Sequence, residues 1–141
     1  MPFGITCRIQ DNVIISTNTY KSIEKVNPIL MSCDLGIAWY DNISVGFRTA
    51  GKSSGKIAAY LRFGLPIIAK KYRSTIEAIE DTRCGICVDK ITDIQEAIRN
   101  IELNYDKYSK NAIDEYNKRY DFNVYKEPLI KFFTSLNDRR K

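Results

Sequence analysis

Short, nearly uninterrupted apolar runs alternate along this chain with segments whose apolar positions recur every three or four residues. Asn12–Thr17 (NVIIST) is a run of β-branched residues and predicts a strand. Leu35–Trp39 (LGIAW), Leu65–Ala69 (LPIIA) and Gly85–Val88 predict three more. None shows polar alternation, the pattern of strands covered on both faces. Between them, Tyr20–Ser32 carries Ile23, Val26, Ile29 and Leu30 on one helical side, with Pro28 breaking that helix or starting a second short one. Ser53 or Ser54 caps a helix to Phe63, stopped by Gly64 with Pro66 just beyond. Ser74 caps a short helix through Ile76 and Ile79.

The C-terminal part predicts helix throughout. Thr92-Asp93-Ile94-Gln95 fits a capping box, and Ile94, Ala97, Ile98 and Ile101 follow it at helical spacing. Tyr108, Ala112 and Tyr116 mark a further helix. Asp121 or Asn123 opens the last one, with Tyr125, Leu129, Phe132, Phe133 and Leu136 on one face and Pro128 near its first turn. Tyr40–Lys52 has no apolar period and predicts a long loop.

Strands alternating with helices predict an α/β fold: a three-layer, Rossmann-like parallel sheet with helices on both faces, ending in a helical C-terminal segment. A length of 141 residues fits a single domain spanning residues 1–141. Ligands of such sheets bind beyond the C-terminal ends of the strands. That places the Tyr40–Ser54 loop and the Lys70–Ser74 turn at the expected ligand rim.

Composition narrows the chemistry. There is no histidine, which removes histidine bases and histidine-ligated metals. No run approaches the ~20 apolar residues of a membrane span, and Met1–Gln10 lacks a signal-peptide pattern, so the expected compartment is cytoplasmic. Net charge is +5. Arg139, Arg140 and Lys141 read first as a solvated end, with peripheral contact to anionic lipid headgroups as the functional alternative. Cys84-Gly85-Ile86-Cys87 matches C-x-x-C, but on a strand the two sulfurs would diverge, and no second ligand pair accompanies them. Buried, inert thiols are expected, and no metal. Tyr105, Tyr108, Tyr116, Tyr120 and Tyr125 could stack on bases, but their helical spacing places them in or beside the core, so nucleic acid is not an expected partner.

The residues with the strongest chemical implication are Ser53–Lys70. Here a small-residue loop, a lysine and a helix N-terminus coincide, which is the make-up of an anion site.

The same stretch carries a resemblance. Ser32-Cys33-Asp34-Leu35-Gly36-Ile37-Ala38, then Ser54-Gly55-Lys56-Ile57 with Tyr60-Leu61 and Gly64–Ala69, then Thr82–Asp89 and Tyr105–Ala112 follow one another in a familiar order. From about Asn12 onward the chain resembles the C-terminal, donor-nucleotide-binding lobe of GT-B glycosyltransferases, especially the group 1 type. The resemblance implies binding of a nucleotide diphosphate sugar for glycosyl transfer to an acceptor, with no further cofactor. It implies that the amides of Ser53, Ser54 and Gly55 take the diphosphate and that Lys56 supplies a point charge. Arg48 and Lys52 would add charge, or else are solvated loop cations. A GT-B enzyme also has an N-terminal acceptor lobe, which is expected to be absent here. The first strand and helix of the matched lobe are expected to be missing too, leaving Asn12–Thr17 or a neighbour as an exposed sheet edge. An acceptor-lobe protein or a second copy could pair there.

The chain departs from the family at two places. Where many members carry a pair of glutamates, it has Gly51 and Ala59. The second glutamate holds the ribose hydroxyls, and its loss removes a charge-assisted hydrogen bond worth about 1.5–3 kcal/mol unless Asp34, Asp41 or Glu77 compensates. Two functions are therefore carried forward: a glycosyltransferase component incomplete on its own, and a catalytically degenerate binding or assembly module of the same fold.

Overall fold

The structure is a computed structural model that describes residues 7–10, 13–15 and 26–138. It divides into two compact units, Met1–Ser32 and Cys33–Lys141. In the first, β1 (Cys7–Gln10) pairs antiparallel with β2 (Val13–Ile15), with a register irregularity between Arg8 and Gln10. The expectation that Asn12–Thr17 joins the parallel sheet is corrected on its described part: β-branched residues suit any pleated strand and do not specify a partner. The unit closes with α1 (Asn27–Met31), where Pro28 sits in the first turn and so starts the helix. The remaining parts of Asn12–Thr17 and Tyr20–Ser32, and the basic tail Arg139–Lys141, lie outside the described residues.

The second unit is mixed α/β. Its sheet has three parallel strands in the order β3 (Gly36–Ala38), β4 (Ile67–Lys70), β5 (Gly85–Val88). Gly36 is level with Ile67, and Ile67 with Gly85. Alternate residues face two separate apolar clusters. Ala38, Ile67, Ala69 and Cys87 meet Ile57 and Leu61 of α3 (Gly55–Arg62) and Ala112 of α6 (Tyr105–Glu115). Ile68 and Val88 meet Ala97 and Ile101 of α5 (Ile94–Glu102), as the helical spacing from Ile94 to Ile101 predicts.

Several expectations are corrected by local bonding. The long loop at Tyr40–Lys52 contains α2 (Val45–Thr49), capped by Ser44 Oγ on the Phe47 amide, and a 3-10 turn, Gly51–Ser53. A five-residue helix is too short to leave a hydrophobic period. Ser74 does not cap α4 (Arg73–Thr75), which runs on into a π-helical turn, Ile76–Glu80. Thr75 takes that role: its Oγ1 accepts from the Tyr72 amide at 2.9 Å and donates to Lys70 O at 2.7 Å. Ser74 Oγ instead donates to Arg48 O and accepts from the Gly51 amide. At the next helix Asp93, not Thr92, holds the turn, through the Lys90 amide.

The last helix, α7 (Asn123–Asp138), opens with Asp121 Oδ1 accepting from the Asn123 amide. Pro128 is its sixth residue, past the first turn. The stripe Tyr125, Leu129, Phe132, Phe133 and Leu136 is exposed rather than buried. Cys84 and Cys87 are buried, but both face the first cluster, because Cys84 precedes the strand and escapes its alternation. Burial pushes their thiols up to about 11 and about 12. Among the described residues, no helix is long and apolar enough to cross a membrane.

Candidate functional site

α3 is positioned by its two ends. Ser54 Oγ accepts from the Ile57 amide at 3.2 Å, closing the N-terminus. Gly64 ends the helix at φ +67°, a conformation open to glycine at little cost. Two hollows flank the C-terminal ends of the strands on either side of Tyr40 and Tyr72. One, of about 490 Å³, lies at the start of α3, with Tyr40, Phe47, Ser54, Gly55 and Lys56 in its walls. The other, of about 480 Å³, follows the ends of all three strands and includes Trp39, Asp41, Lys70 and Asp89.

Tyr40 organises the first hollow. Its hydroxyl shares a hydrogen bond with Ser54 Oγ, its ring lies 6.2 Å from Phe47, and Lys56 Nζ sits 5.4 Å from the ring centroid. Tyr72 Oη donates to Tyr40 O at 3.0 Å and ties the loop to the turn after β4. Tyr40 is half-buried, and a cation over such a ring gains on the order of 1 kcal/mol, enough to aim the ammonium without neutralising it. Sequence reasoning placed the Tyr40–Ser54 loop at the ligand rim but singled out neither Tyr40 nor Phe47. The available signal was the position of Tyr40 directly after a strand, where such folds place ligand contacts.

The six expected site residues separate. Gly55 and Lys56 hold the first two positions of α3, whose amides have no acceptor within a helix. Ser53 and Ser54 amides are engaged by the 3-10 turn, donating to Ala50 O at 3.0 Å and Gly51 O at 3.4 Å. Ser54 contributes through its side chain. Lys52 Nζ pairs with Glu77 Oε2 at 3.2 Å, and Arg73 Nε meets the other oxygen at 3.1 Å. Hydrogen bonds from Lys52 and Arg73 hold the Glu77 carboxyl below its ordinary range. Arg48 projects from the last turn of α2 and is anchored by its carbonyl to Ser74. Neither Arg48 nor Lys52 is in the wall of the hollow beside Lys56.

Gly51 has a steric reason. A Cβ there would lie 2.0 Å from Ser74 O, so no side chain fits while the loop and the turn after β4 stay packed. Of the three acids weighed for the ribose role, Asp41 lines the second hollow, Glu77 is held by two cations and Asp34 is exposed on the approach to β3.

The sequence model described as Glucosyltransferase 3-like, C-terminal domain matches residues 9–127. The chain belongs to that family. It is a glycosyltransferase C-terminal domain by that membership, with the helix start at Gly55–Lys56 and both hollows inside the matched region. No curated protein and no solved structure matches the chain.

Proposed function

We propose that this domain binds a nucleotide diphosphate sugar for glycosyl transfer, and that it does so as the donor-side lobe of a group 1 type GT-B architecture with a three-layer Rossmann-like core. The observation that carries the reading is the coincidence, in one hollow, of the Gly55 and Lys56 amides at the start of α3 with the Lys56 ammonium. Helix start and cation both favour a diphosphate. During transfer they would stabilise the charge developing on the leaving diphosphate, which is electrostatic catalysis and needs no nucleophile from this chain. The neighbouring hollow, with Trp39 and Asp41, has room for the nucleoside. An acceptor-side lobe, from another protein or a second copy, completes the enzyme. The expected place of work is the cytoplasm, with the basic tail available to a membrane surface.

A second reading has an observation of its own. The close packing of Gly51 on Ser74 excludes one family glutamate, and Ala59 stands in place of the other. Both favour a degenerate module that assembles without binding donor. Thermal unfolding against uridine, guanosine and adenosine diphosphate sugars separates the two. One nucleotide class should raise Tm, since ligand at 100 times Kd stabilises by about 2.7 kcal/mol, and Lys56→Ala should abolish the rise. No rise with any sugar favours the module, and a rise that survives Lys56→Ala moves the diphosphate elsewhere.

A further inference from the structure

A third hollow, of about 390 Å³, lies at the other end of the sheet, against the start of β5 and the first turns of α6. Its walls hold Arg83, Lys107, Asn104, Asn111, Glu80 and Tyr108. Nothing in the reading of the donor site uses it.

Arg83 is the one non-glycine residue with positive φ among the described residues, at 56°. It follows the π-helical turn, and its amide donates to Glu80 O at 2.9 Å. At a left-handed position after a helical turn glycine is the default. Here an arginine occupies it, and Asn111 Nδ2 donates to its carbonyl at 3.0 Å and holds it there. Strained positions held by their surroundings cluster where function needs a particular side chain. Lys107 is the second cation. Neither Arg83 nor Lys107 forms an ion pair among the described residues.

Asn104 precedes α6 at the N-cap position, where an asparagine side chain ordinarily accepts from the helix. It makes no such bond, so its carboxamide is uncommitted. Glu80 Oε1 accepts from the Cys87 amide at 3.0 Å, which fixes the carboxylate at the outer edge of β5. Two cations alone would suit any small anion. Cations with a fixed carboxylate, a free carboxamide and a tyrosine suit a ligand that is anionic at one end and hydroxylated at the other.

From this arrangement we infer a second ligand site, for a phosphorylated monosaccharide. Arg83 and Lys107 take the phosphoryl group, and Glu80 and Asn104 take hydroxyls. The volume is in the range of small-molecule sites.

The test is a titration of the whole chain with glucose 6-phosphate, inorganic phosphate and glucose, followed by amide NMR. Saturable shifts are expected with the sugar phosphate at Gly85, Ile86 and Asn104. Binding should weaken at least tenfold in Lys107→Gln, an exposed helix position that leaves the fold intact, and again in Arg83→Gln. Lys56→Ala, at the other hollow, should leave the affinity unchanged, which separates this site from the donor site. Equal binding of phosphate and sugar phosphate would overturn the sugar assignment. Absence of saturable shifts, or binding that persists in both Lys107→Gln and Arg83→Gln, would overturn the site.

Discussion

α3 and α7 are both amphipathic helices, and their apolar faces end differently. Ile57 and Leu61 of α3 are fully buried, whereas Phe132 and Phe133 of α7 are 56% and 62% exposed. α3 lies on the sheet and packs against α6. α7 contacts the turn Tyr116–Tyr120, where Tyr125 Oη donates to Arg119 O at 2.8 Å. Helical spacing therefore specifies which face of a helix is apolar. Whether that face is covered depends on what lies opposite, which periodicity does not encode.

The largest expected effect tests this contrast directly. Leu61→Ala should cost about 2–5 kcal/mol of unfolding free energy, as a large-to-small change in a closed core does. Phe133→Ala, which removes more atoms, should stay within about 0.5 kcal/mol in the isolated chain. Denaturant melts of the two variants measure it. A Phe133→Ala loss as large as that of Leu61→Ala would mean that the α7 stripe is covered after all.

The same contrast explains how much was legible in the sequence. Where a segment's own residues determine its state, the reading held. The Gly85–Val88 strand, the Ser54 cap, the Gly64 stop and the buried side of α5 are all cases where spacing or a single special residue suffices. Where the outcome depended on a distant partner, the reading failed. Val13–Ile15 chose an antiparallel neighbour, and Ser74 bonded the loop at Arg48 and Gly51 rather than its own helix. Tyr40 entered the candidate site through Ser54 and Lys56, far along the chain. The start of the Lys56 helix was legible because its cap and its stop are local, while the aromatic wall beside it was not.

A smaller effect sharpens the picture at the entrance to α3. Gly51 and Gly55 stand four residues apart and differ in surroundings: an added Cβ meets Ser74 backbone at 2.0 Å in the first case and nothing within 4 Å in the second. Gly51→Ala should cost about 1–3 kcal/mol, since the loop must shift to admit a methyl group. Gly55→Ala should be neutral or gain about 0.4–1 kcal/mol through the unfolded chain. Thermal melts of the pair decide it. If Gly51→Ala is silent, the loop does not press on the turn after β4, and the steric account of Gly51 falls.

The smallest effect probes the core that α3 covers. Cys84 and Cys87 share the cluster with Ile57 and Leu61, and burial raises their thiols to about 11 and about 12 from the ordinary 9.0. In the unfolded chain they ionise first, so above pH 9 the unfolded state releases protons that the folded state still holds. Their contribution to stability is complete below pH 9 and is lost as pH rises towards 11–12. Tyr60 and Tyr120, also raised by burial, act in the same direction, so the thiol share must be read by difference. Between about pH 8 and about pH 10, the native chain should lose more stability than the Cys84→Ala/Cys87→Ala variant. Parallel losses in the two would mean that water reaches the thiols, and that α3 seals its side of the sheet no better than α7 seals its own stripe.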